Sequence, residues 1–182
     1  MPGDTGFSGP AGRGGQSGDG EVSRTGELST GREAVHTGLV LVFVGLPGSG
    51  KSTWAEENRV PVISTDALRG VLADDITDQS VNKQVFLYVR ALLRTRLAIG
   101  RPVTAVDATS VTREGRAVYI RIARHFGARV EAVYFDTPLA ECLRRNLERE
   151  RMVPEEAILR MAGQLEAPSI GEGFDAVRIV TP

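Results

Sequence analysis

The residues with the clearest chemistry lie in a glycine-rich stretch at 45–52, which has the pattern Gly-x-x-x-x-Gly-Lys-Ser. A backbone that curls around an anion with its N–H groups turned inward needs glycines, because side chains would block the approach. Lys51 can then reach the β- and γ-phosphates of a nucleotide, and the Ser52 hydroxyl can ligate magnesium. The pattern predicts a site for ATP and Mg²⁺, formed by Gly45, Leu46, Pro47, Gly48, Ser49, Gly50, Lys51, Ser52 and Thr53.

A second group of polar residues, Asp66 and Arg69, follows a short apolar segment at 60–64. A carboxylate at this point could take the proton from an acceptor hydroxyl. Arg69, one helical turn further on, would face the same cleft. The sequence also allows two purely structural interpretations, in which Asp66 caps a helix and Arg69 is an exposed helix arginine.

Two more groups could serve the same cleft. Asp107 and Thr109 follow an apolar run at 103–106, where an acid could orient magnesium through water or organise the acceptor, or simply form a turn. In the segment 144–151, the spacing of Arg145 and Arg149 predicts one shared helical face. Their guanidinium groups could close as a lid on the ATP phosphates, although a solvated helix laced with Arg–Glu pairs has the same pattern.

The elements that must position these residues predict an α/β fold. Helical patterns, the longest over 81–99, alternate with apolar runs that predict five strands, at 39–44, 60–64, 103–106, 130–135 and 176–180. Alternating strands and helices give a mainly parallel sheet with helices on both faces. Ligands of such sheets bind at the carboxyl ends of the strands, which is where the loop and the polar groups fall.

The amino-acid composition limits the classes of protein to which this chain can belong. The chain is 41% hydrophobic and 25% charged, as in ordinary globular domains, and its net charge of −1 gives no general attraction for nucleic acid or membranes. Residues 1–37 are rich in Gly, Ser and Thr and predict a disordered tail before a single domain at 38–182. No apolar stretch is long enough to span a membrane, so no membrane partner is expected. The single cysteine, Cys142, suits a cytoplasmic protein.

The order of these motifs resembles that of the 5′-polynucleotide kinases over roughly residues 39–166. The shared motifs are Gly-Leu-Pro-Gly-Ser-Gly-Lys-Ser-Thr-Trp-Ala at 45–55, Asp-x-x-Arg at 66–69, Asp-Ala-Thr at 107–109, Arg-Asn-x-x-Arg at 145–149 and Val-Pro-Glu-Glu-Ala-Ile-Leu-Arg-Met at 153–161. The resemblance is closest to the phage-type kinase domain and to the kinase module of bacterial RNA-repair enzymes.

The resemblance implies a P-loop NTPase fold of the adenylate-kinase-like kind, a three-layer α/β/α sandwich with a helical lid. It also implies ATP-dependent phosphorylation of a polynucleotide 5′-hydroxyl. Asp66 would be the general base and Arg69 would contact the acceptor's phosphate. Asp107 with Thr109 would shape the acceptor site, and Arg149 would be the lid arginine that stabilises the phosphoryl group in flight.

The sequence also departs from the pattern of these enzymes. No Asp-x-Asp-x-Thr phosphatase motif follows the kinase region, so a 3′-phosphatase activity is not expected. Small kinases with the same layout phosphorylate sugars, nucleosides or antibiotics. A small-molecule kinase is therefore the first alternative, and a P-loop ATPase without a hydroxyl acceptor is the second.

Overall fold

A computed structural model describes residues 38–108, 110–149 and 151–181 of the chain. The predicted tail at 1–37 and the predicted site residue Thr109 lie outside the described residues. Within the described ranges the strands are β1 (Leu39–Val44), β2 (Val62–Ser64), β3 (Val103–Asp107), β4 (Arg129–Phe135) and β5 (Ala176–Val180). The α-helices are α1 (Lys51–Glu57), α2 (Thr65–Ala73), α3 (Asn82–Ala98), α4 (Arg113–His125), α5 (Leu139–Leu147) and α6 (Glu155–Gln164).

The five strands form one parallel sheet in the order β2-β3-β1-β4-β5. β1 has the sequence Leu-Val-Leu-Val-Phe-Val and is buried along almost its whole length, which is typical of a parallel strand covered on both faces. Because β3 lies on one side of β1 and β4 on the other, the connections diverge at this strand. Such a switch point opens a crevice at the carboxyl ends of the strands. The predicted α/β fold is confirmed.

Each face of the sheet carries its own layer of apolar side chains. Val40, Val42 and Val44 of β1 point into the larger cluster, to which α3 contributes its buried stripe of Val85, Val89, Leu93 and Leu97 and α4 also contributes. Leu41 and Phe43 point to the opposite face, where Trp54 and Ala55 of α1 cover them. Because side chains alternate along β1, helices pack on both faces of the sheet, which gives three layers of helix, sheet and helix.

Several helix ends follow the sequence signals. The Ser64 hydroxyl accepts a hydrogen bond from the Ala67 N–H at 3.4 Å and caps α2, and Thr112 caps α4 by accepting from Gly115 at 3.2 Å. Gly127 follows Phe126, the last cap residue of α4, with a φ of 67°, a conformation that favours glycine. The sequence predicts a helix over 113–126 with Thr112 as its cap and Gly127 after its end, and both of these predictions are confirmed.

Two predictions about α5 are wrong. The order Thr137-Pro138 is typical of a helix start and predicts Thr137 as the cap of this helix. Its hydroxyl donates instead to the Ser49 carbonyl at 3.0 Å, and Pro138 is the residue before the first turn. α5 also ends at Leu147, so Arg145 and Arg149 do not share one helical face. The helix stops because the chain turns toward residue 153, which is bound by the side chain of Asn146.

The part of the chain that the structure describes contains no helix of the length and apolar character that a membrane span requires.

Candidate active site

A cleft of about 1060 Å³ opens at the carboxyl ends of the strands, beside the end of β1. It collects most of the residues that the sequence analysis selected. Those that line it are Gly45, Pro47, Gly48, Ser49, Gly50, Lys51, Ser52, Thr53, Asp66, Asp107, Arg145 and Arg149. The Leu46 side chain is buried, and neither Leu46 nor Arg69 lines the cleft.

The loop at 45–50 joins β1 to α1 and depends on its glycines. Gly48 has a φ of 83°, and a Cβ atom there would lie 2.5 Å from the carbonyl oxygen of Cys142 in α5. Any larger residue would therefore push the loop away from α5. The hydrogen bond from Thr137 to the Ser49 carbonyl holds the loop from the same side. The connection after β4 thus fixes the loop that follows β1.

Lys51 is the first residue of α1, and its ammonium group lies across the loop. Nζ donates to the carbonyl oxygens of Gly45 at 3.0 Å and Leu46 at 2.8 Å. Burial lowers the pKa of Lys51, while the nearby Asp107 carboxylate opposes this shift. Burial likewise raises the pKa of Asp107, and Lys51 opposes that shift. A buried ammonium group at the base of an open cleft is suited to bind an anion.

Ser52 is the residue best placed to hold a metal ion. It follows Lys51 in the first turn of α1 and lines the cleft. The described ranges contain no group of three His, Cys, Asp or Glu residues that could form a metal site. Magnesium is commonly held by few protein ligands, with substrate phosphates and water completing its octahedron. The Ser52 hydroxyl fits that arrangement, and Asp107 could orient a water ligand.

Asp66 lies in the first turn of α2, but it is not the cap of that helix, which is Ser64. Its half-exposed carboxylate lines the cleft. Oδ1 accepts a hydrogen bond from Arg69 Nη1 at 2.7 Å, and Oδ2 accepts one from Arg151 Nη1 at 3.3 Å. Ser64 and Asp107 are partners in the register of β2 and β3, so both carboxylates follow the ends of adjacent strands.

Arg69 is buried behind Asp66, which excludes the interpretation of an exposed helix arginine. Its guanidinium group donates to Asp66 Oδ1, to the Ile76 carbonyl at 3.3 Å and to Asn82 Oδ1 at 2.9 Å. These bonds fix the carboxylate of Asp66 and connect α2 to the start of α3. A contact between Arg69 and an acceptor phosphate stays a prediction.

Three arginines from α5 and the turn after it line the cleft: Arg145, Arg149 and Arg151. Arg145 Nε donates to Glu141 Oε1 at 2.6 Å. The Arg149 guanidinium forms no hydrogen bond or ion pair with any residue that the structure describes, and its charge contributes to the lowered pKa of Lys51. Among the described residues the Arg149 guanidinium is therefore unpaired, and it adds positive charge near Lys51.

The turn that carries Arg149 and Arg151 is held by Asn146, a buried residue of α5. Its Nδ2 donates to the Val153 carbonyl at 2.8 Å, and its Oδ1 accepts from the Val153 N–H at 2.9 Å. The amide thus links residues 146 and 153, and Arg149 and Arg151 are the cleft arginines that lie between them. The sequence analysis did not give Asn146 a role, although an asparagine between two arginines was the available signal.

Arg116 of α4 is a second positioning residue that the sequence analysis missed. It is fully buried, and Nη1 donates to the carbonyl oxygens of Ser110 and Val111 at 3.1 and 3.0 Å. Nε and Nη2 pair with the carboxylate of Glu172. Because these carbonyls belong to the connection after β3, Arg116 holds the segment that directly follows Asp107. No local sequence pattern distinguishes it from the other arginines.

The fold and the glycine-rich loop define a P-loop protein with the architecture of the P-loop kinases. Residues 40–168 match the family model AAA_33, described as an AAA domain. The match covers well over half of the chain, and the chain belongs to this family.

Two curated relatives extend this comparison. The chain is 27% identical over 146 residues to the bifunctional polynucleotide phosphatase/kinase of Schizosaccharomyces pombe. The aligned residues cover 78% of this chain and 33% of the relative. It is 24% identical over 148 residues to the L-seryl-tRNA(Sec) kinase of Methanococcus maripaludis, which covers 75% of this chain and 56% of the relative. The chain thus spans between a third and just over half of the length of these proteins.

Solved structures share the fold. The Pnkp1/Rnl/Hen1 RNA repair complex contains a chain that matches with a TM-score of 0.60 and 24% identity, over 77% of this chain and 47% of that one. The APS kinase CysC of Mycobacterium tuberculosis, in complex with AMPPNP and APS, matches with a TM-score of 0.51 and 23% identity, over 80% and 88% of the two chains.

Proposed function

We propose that this protein is an ATP-dependent kinase that transfers the γ-phosphoryl group to a hydroxyl acceptor, and that the acceptor is the 5′-hydroxyl end of a polynucleotide. One observation carries the proposal. The phosphate-binding loop with Lys51 and the carboxylate of Asp66 line the same cleft, after the ends of β1 and β2, the two strands that flank β3. A donor site and a base that share one cleft are what hydroxyl phosphorylation requires.

On the donor side, the phosphates of ATP would lie on the loop N–H groups and on the N-terminus of α1. Lys51 would exchange its two bonds to loop carbonyls for bonds to the β- and γ-phosphate oxygens. The Ser52 hydroxyl would hold Mg²⁺, which neutralises charge on those phosphates when it is bound.

On the acceptor side, Asp66 Oδ2 would take the proton of the acceptor hydroxyl. The hydroxyl oxygen bonds to the γ-phosphorus as the bond from that phosphorus to the β–γ bridging oxygen breaks, and the electron pair leaves with ADP. Arg149, which has no partner in the described ranges, would stabilise the charge on the phosphoryl group in transfer. In-line transfer therefore requires the Asp66 carboxylate and the phosphate-binding loop to lie on opposite sides of the γ-phosphorus.

Three observations favour a polynucleotide acceptor. The motif order follows that of the 5′-polynucleotide kinases, and one of the two curated relatives is a polynucleotide phosphatase/kinase while the other is a kinase of a seryl-tRNA. The edge of the cleft also carries Arg145, Arg149 and Arg151, which can meet backbone phosphates. We also propose a cytoplasmic location, on the ground of the single thiol.

A small-molecule kinase is the second candidate, and the position of Arg69 favours it. In a polynucleotide kinase this arginine is expected to contact the acceptor's phosphate, but here its guanidinium group is buried and bound to Asp66, Ile76 and Asn82. A neutral sugar or nucleoside would not need that contact.

Incubation with γ-labelled ATP separates these candidates. We expect label to move to 5′-hydroxyl RNA or DNA oligonucleotides, and not to the same oligonucleotides already phosphorylated at their 5′ ends. A parallel panel would contain nucleosides, sugars and aminoglycosides. Label on a panel member but not on any oligonucleotide would reject the polynucleotide acceptor, and ATP hydrolysis unaffected by all acceptors would reject the kinase assignment.

A further inference from the structure

Arg151 was not selected from the sequence, yet it is the residue that covers the proposed base. It lies in the turn between α5 and α6, and its guanidinium group reaches back to α2, 85 residues away in the chain. Nη1 donates to Asp66 Oδ2 at 3.3 Å, and Nη2 donates to the Ile76 carbonyl at 2.9 Å. Arg151 thus connects the arginine-rich turn to the acceptor end of the cleft.

The two oxygens of Asp66 are held in different ways. Oδ1 is bound at 2.7 Å by Arg69, whose side chain is 7% exposed and has two further partners. Oδ2 is bound at 3.3 Å by Arg151, whose side chain is 31% exposed. A buried arginine with three acceptors is fixed, whereas a longer and partly exposed ion pair exchanges readily. Oδ2 is therefore the oxygen that can become available to an acceptor hydroxyl, and displacement of Arg151 would free it completely.

What removes Arg151 must itself attract a guanidinium group. Arginine binds phosphate and carboxylate groups through paired N–H donors, and neutral hydroxyl groups offer no such partner. The Arg151 guanidinium is bound to Asp66 and to the Ile76 carbonyl, whereas Arg149 is the arginine of this turn whose charge acts on Lys51 of the loop. An anion that binds it there belongs to the acceptor.

We infer that Arg151 binds an anionic group next to the reacting hydroxyl of the acceptor, and that this exchange uncovers Asp66 Oδ2 for that hydroxyl. The inference rests on the proposed function and specifies its substrate class. The acceptors would then carry a negative charge on the same sugar as the reacting hydroxyl. A 5′-hydroxyl strand has such a charge at its first internucleotide phosphate. Neutral acceptors leave Arg151 on Asp66 and are phosphorylated slowly. The transfer step is the one given above, with the proton passing to Oδ2.

The test uses 5′-hydroxyl oligonucleotides that differ at a single linkage. One has only phosphate linkages, one has an uncharged methylphosphonate at the first linkage, and one has the methylphosphonate at the third linkage as a substrate control. The proteins are wild type, Arg151→Ala, Arg151→Lys and Arg144→Ala. Arg144 is the matched control because it pairs with Glu141 and Glu148 on the surface of α5 and does not line the cleft.

For wild type and Arg144→Ala we expect kcat/KM to fall about tenfold to hundredfold when the first linkage is uncharged, the range of hydrogen bonds to charged groups. The third-linkage substrate should behave like the all-phosphate one. Arg151→Ala should lose most of this discrimination, and Arg151→Lys should retain part of it, because lysine keeps the charge without the paired donors. Hydrolysis of ATP without acceptor should rise in Arg151→Ala, because Oδ2 then has no guanidinium bound to it and can accept a proton from water instead.

The inference would be overturned if Arg151→Ala discriminated against the oligonucleotide with an uncharged first linkage as strongly as wild type does. Unchanged ATP hydrolysis in Arg151→Ala would show that Arg151 does not shield Asp66. If wild type labels none of the oligonucleotides, the proposed polynucleotide acceptor fails and the inference fails with it. Labelling of the all-phosphate oligonucleotide by wild type therefore distinguishes the two failures. Should Arg151→Ala not fold, as judged by circular dichroism, Arg151→Lys decides the outcome.

Discussion

The donor half and the acceptor half of the cleft are built in different ways. The donor half is a continuous stretch at 45–53, in which Lys51 binds the carbonyl of a residue only six positions earlier. The acceptor half combines α2, the end of β3 and the turn after α5, and its contact between Arg151 and Asp66 spans 85 positions. A local site is defined by its own sequence, whereas a dispersed site depends on side chains that bring distant segments together.

The two halves also differ in how they hold charge. Lys51, on the donor side, and Asp107, at the end of β3, are half-buried, and burial shifts the pKa of each toward its neutral form. Asp66 and Arg151, on the acceptor side, are partly exposed and paired with each other. The donor half therefore carries the desolvation cost of the Lys51 ammonium group, which a bound anion would offset, while the acceptor half is held closed by an exchangeable ion pair.

Asp66→Asn gives the largest expected effect and tests whether the halves are separable. Loss of a general base lowers kcat by about 10²- to 10⁴-fold, and the affinity for ATP should hardly change because the loop is untouched. Labelled transfer and nucleotide titration measure the two quantities. Asp74→Asn, at the exposed end of the same helix, should match wild type. Loss of ATP binding in Asp66→Asn would contradict the assignment of a base.

Lys51→Ala tests the donor half. Removal of one donor to a developing charge costs about 10²- to 10³-fold in kcat, and here the affinity for ATP should fall as well, because Lys51 binds phosphates in the ground state. Lys83→Ala removes the only other lysine, which lies exposed at the start of α3, and should leave both quantities unchanged. Equal losses in the two variants would mean that Lys51 acts only through net charge.

Asn146→Ala tests how far the acceptor half depends on one side chain. The N–H and carbonyl of Val153 lose their partner, which costs about 1–3 kcal/mol of unfolding free energy, and transfer should fall because Arg149 and Arg151 lose their position. Denaturant unfolding and transfer assays measure these effects. Gln164→Ala, at the exposed end of α6, is the control. A stability loss without a loss of transfer would show that the turn does not position catalytic groups.

Asp107→Asn should give the smallest effect on stability, and its direction is opposite to that of most substitutions. Because burial raises the pKa of Asp107, its contribution to stability is full below pH 3.8 and is lost as the pH rises through the folded-state pKa. A neutral asparagine avoids that loss, so at neutral pH the unbound variant should unfold at a higher temperature than wild type. Lower transfer activity should accompany the gain. A melting temperature below that of wild type at neutral pH would contradict this account.

The difference between a continuous donor half and a dispersed acceptor half also explains which residues of the cleft the sequence could predict. The loop, β1 and the start of α1 are contiguous, so their pattern predicted both the structure and the residues that line the cleft. Asp66 was found because it directly follows a strand. Arg151 was not, because its role arises from a contact with a helix far away in the chain. Thr137 looked like a helix cap, but a carbonyl of the loop bound its hydroxyl instead.

Burial was the other property that the sequence did not show. Arg69 was expected in the cleft, since its spacing from Asp66 is one helical turn, and the structure turns it inward onto Ile76 and Asn82. Arg116 looks like any other arginine of an amphipathic helix, yet it is completely buried and organises the segment after Asp107. Spacing predicts the direction of a side chain around a helix axis, but not the partners that tertiary packing supplies.

The bond between Asn146 and Val153 has a consequence for how this turn can vary during evolution. The Asn146 side chain binds the backbone of residue 153, so this bond requires no particular side chain there, while a proline, which lacks the N–H group, is forbidden. The asparagine itself has no equivalent substitute, because an aspartate cannot donate to the carbonyl. Among divergent relatives we therefore expect an invariant asparagine, followed seven positions later by a residue other than proline.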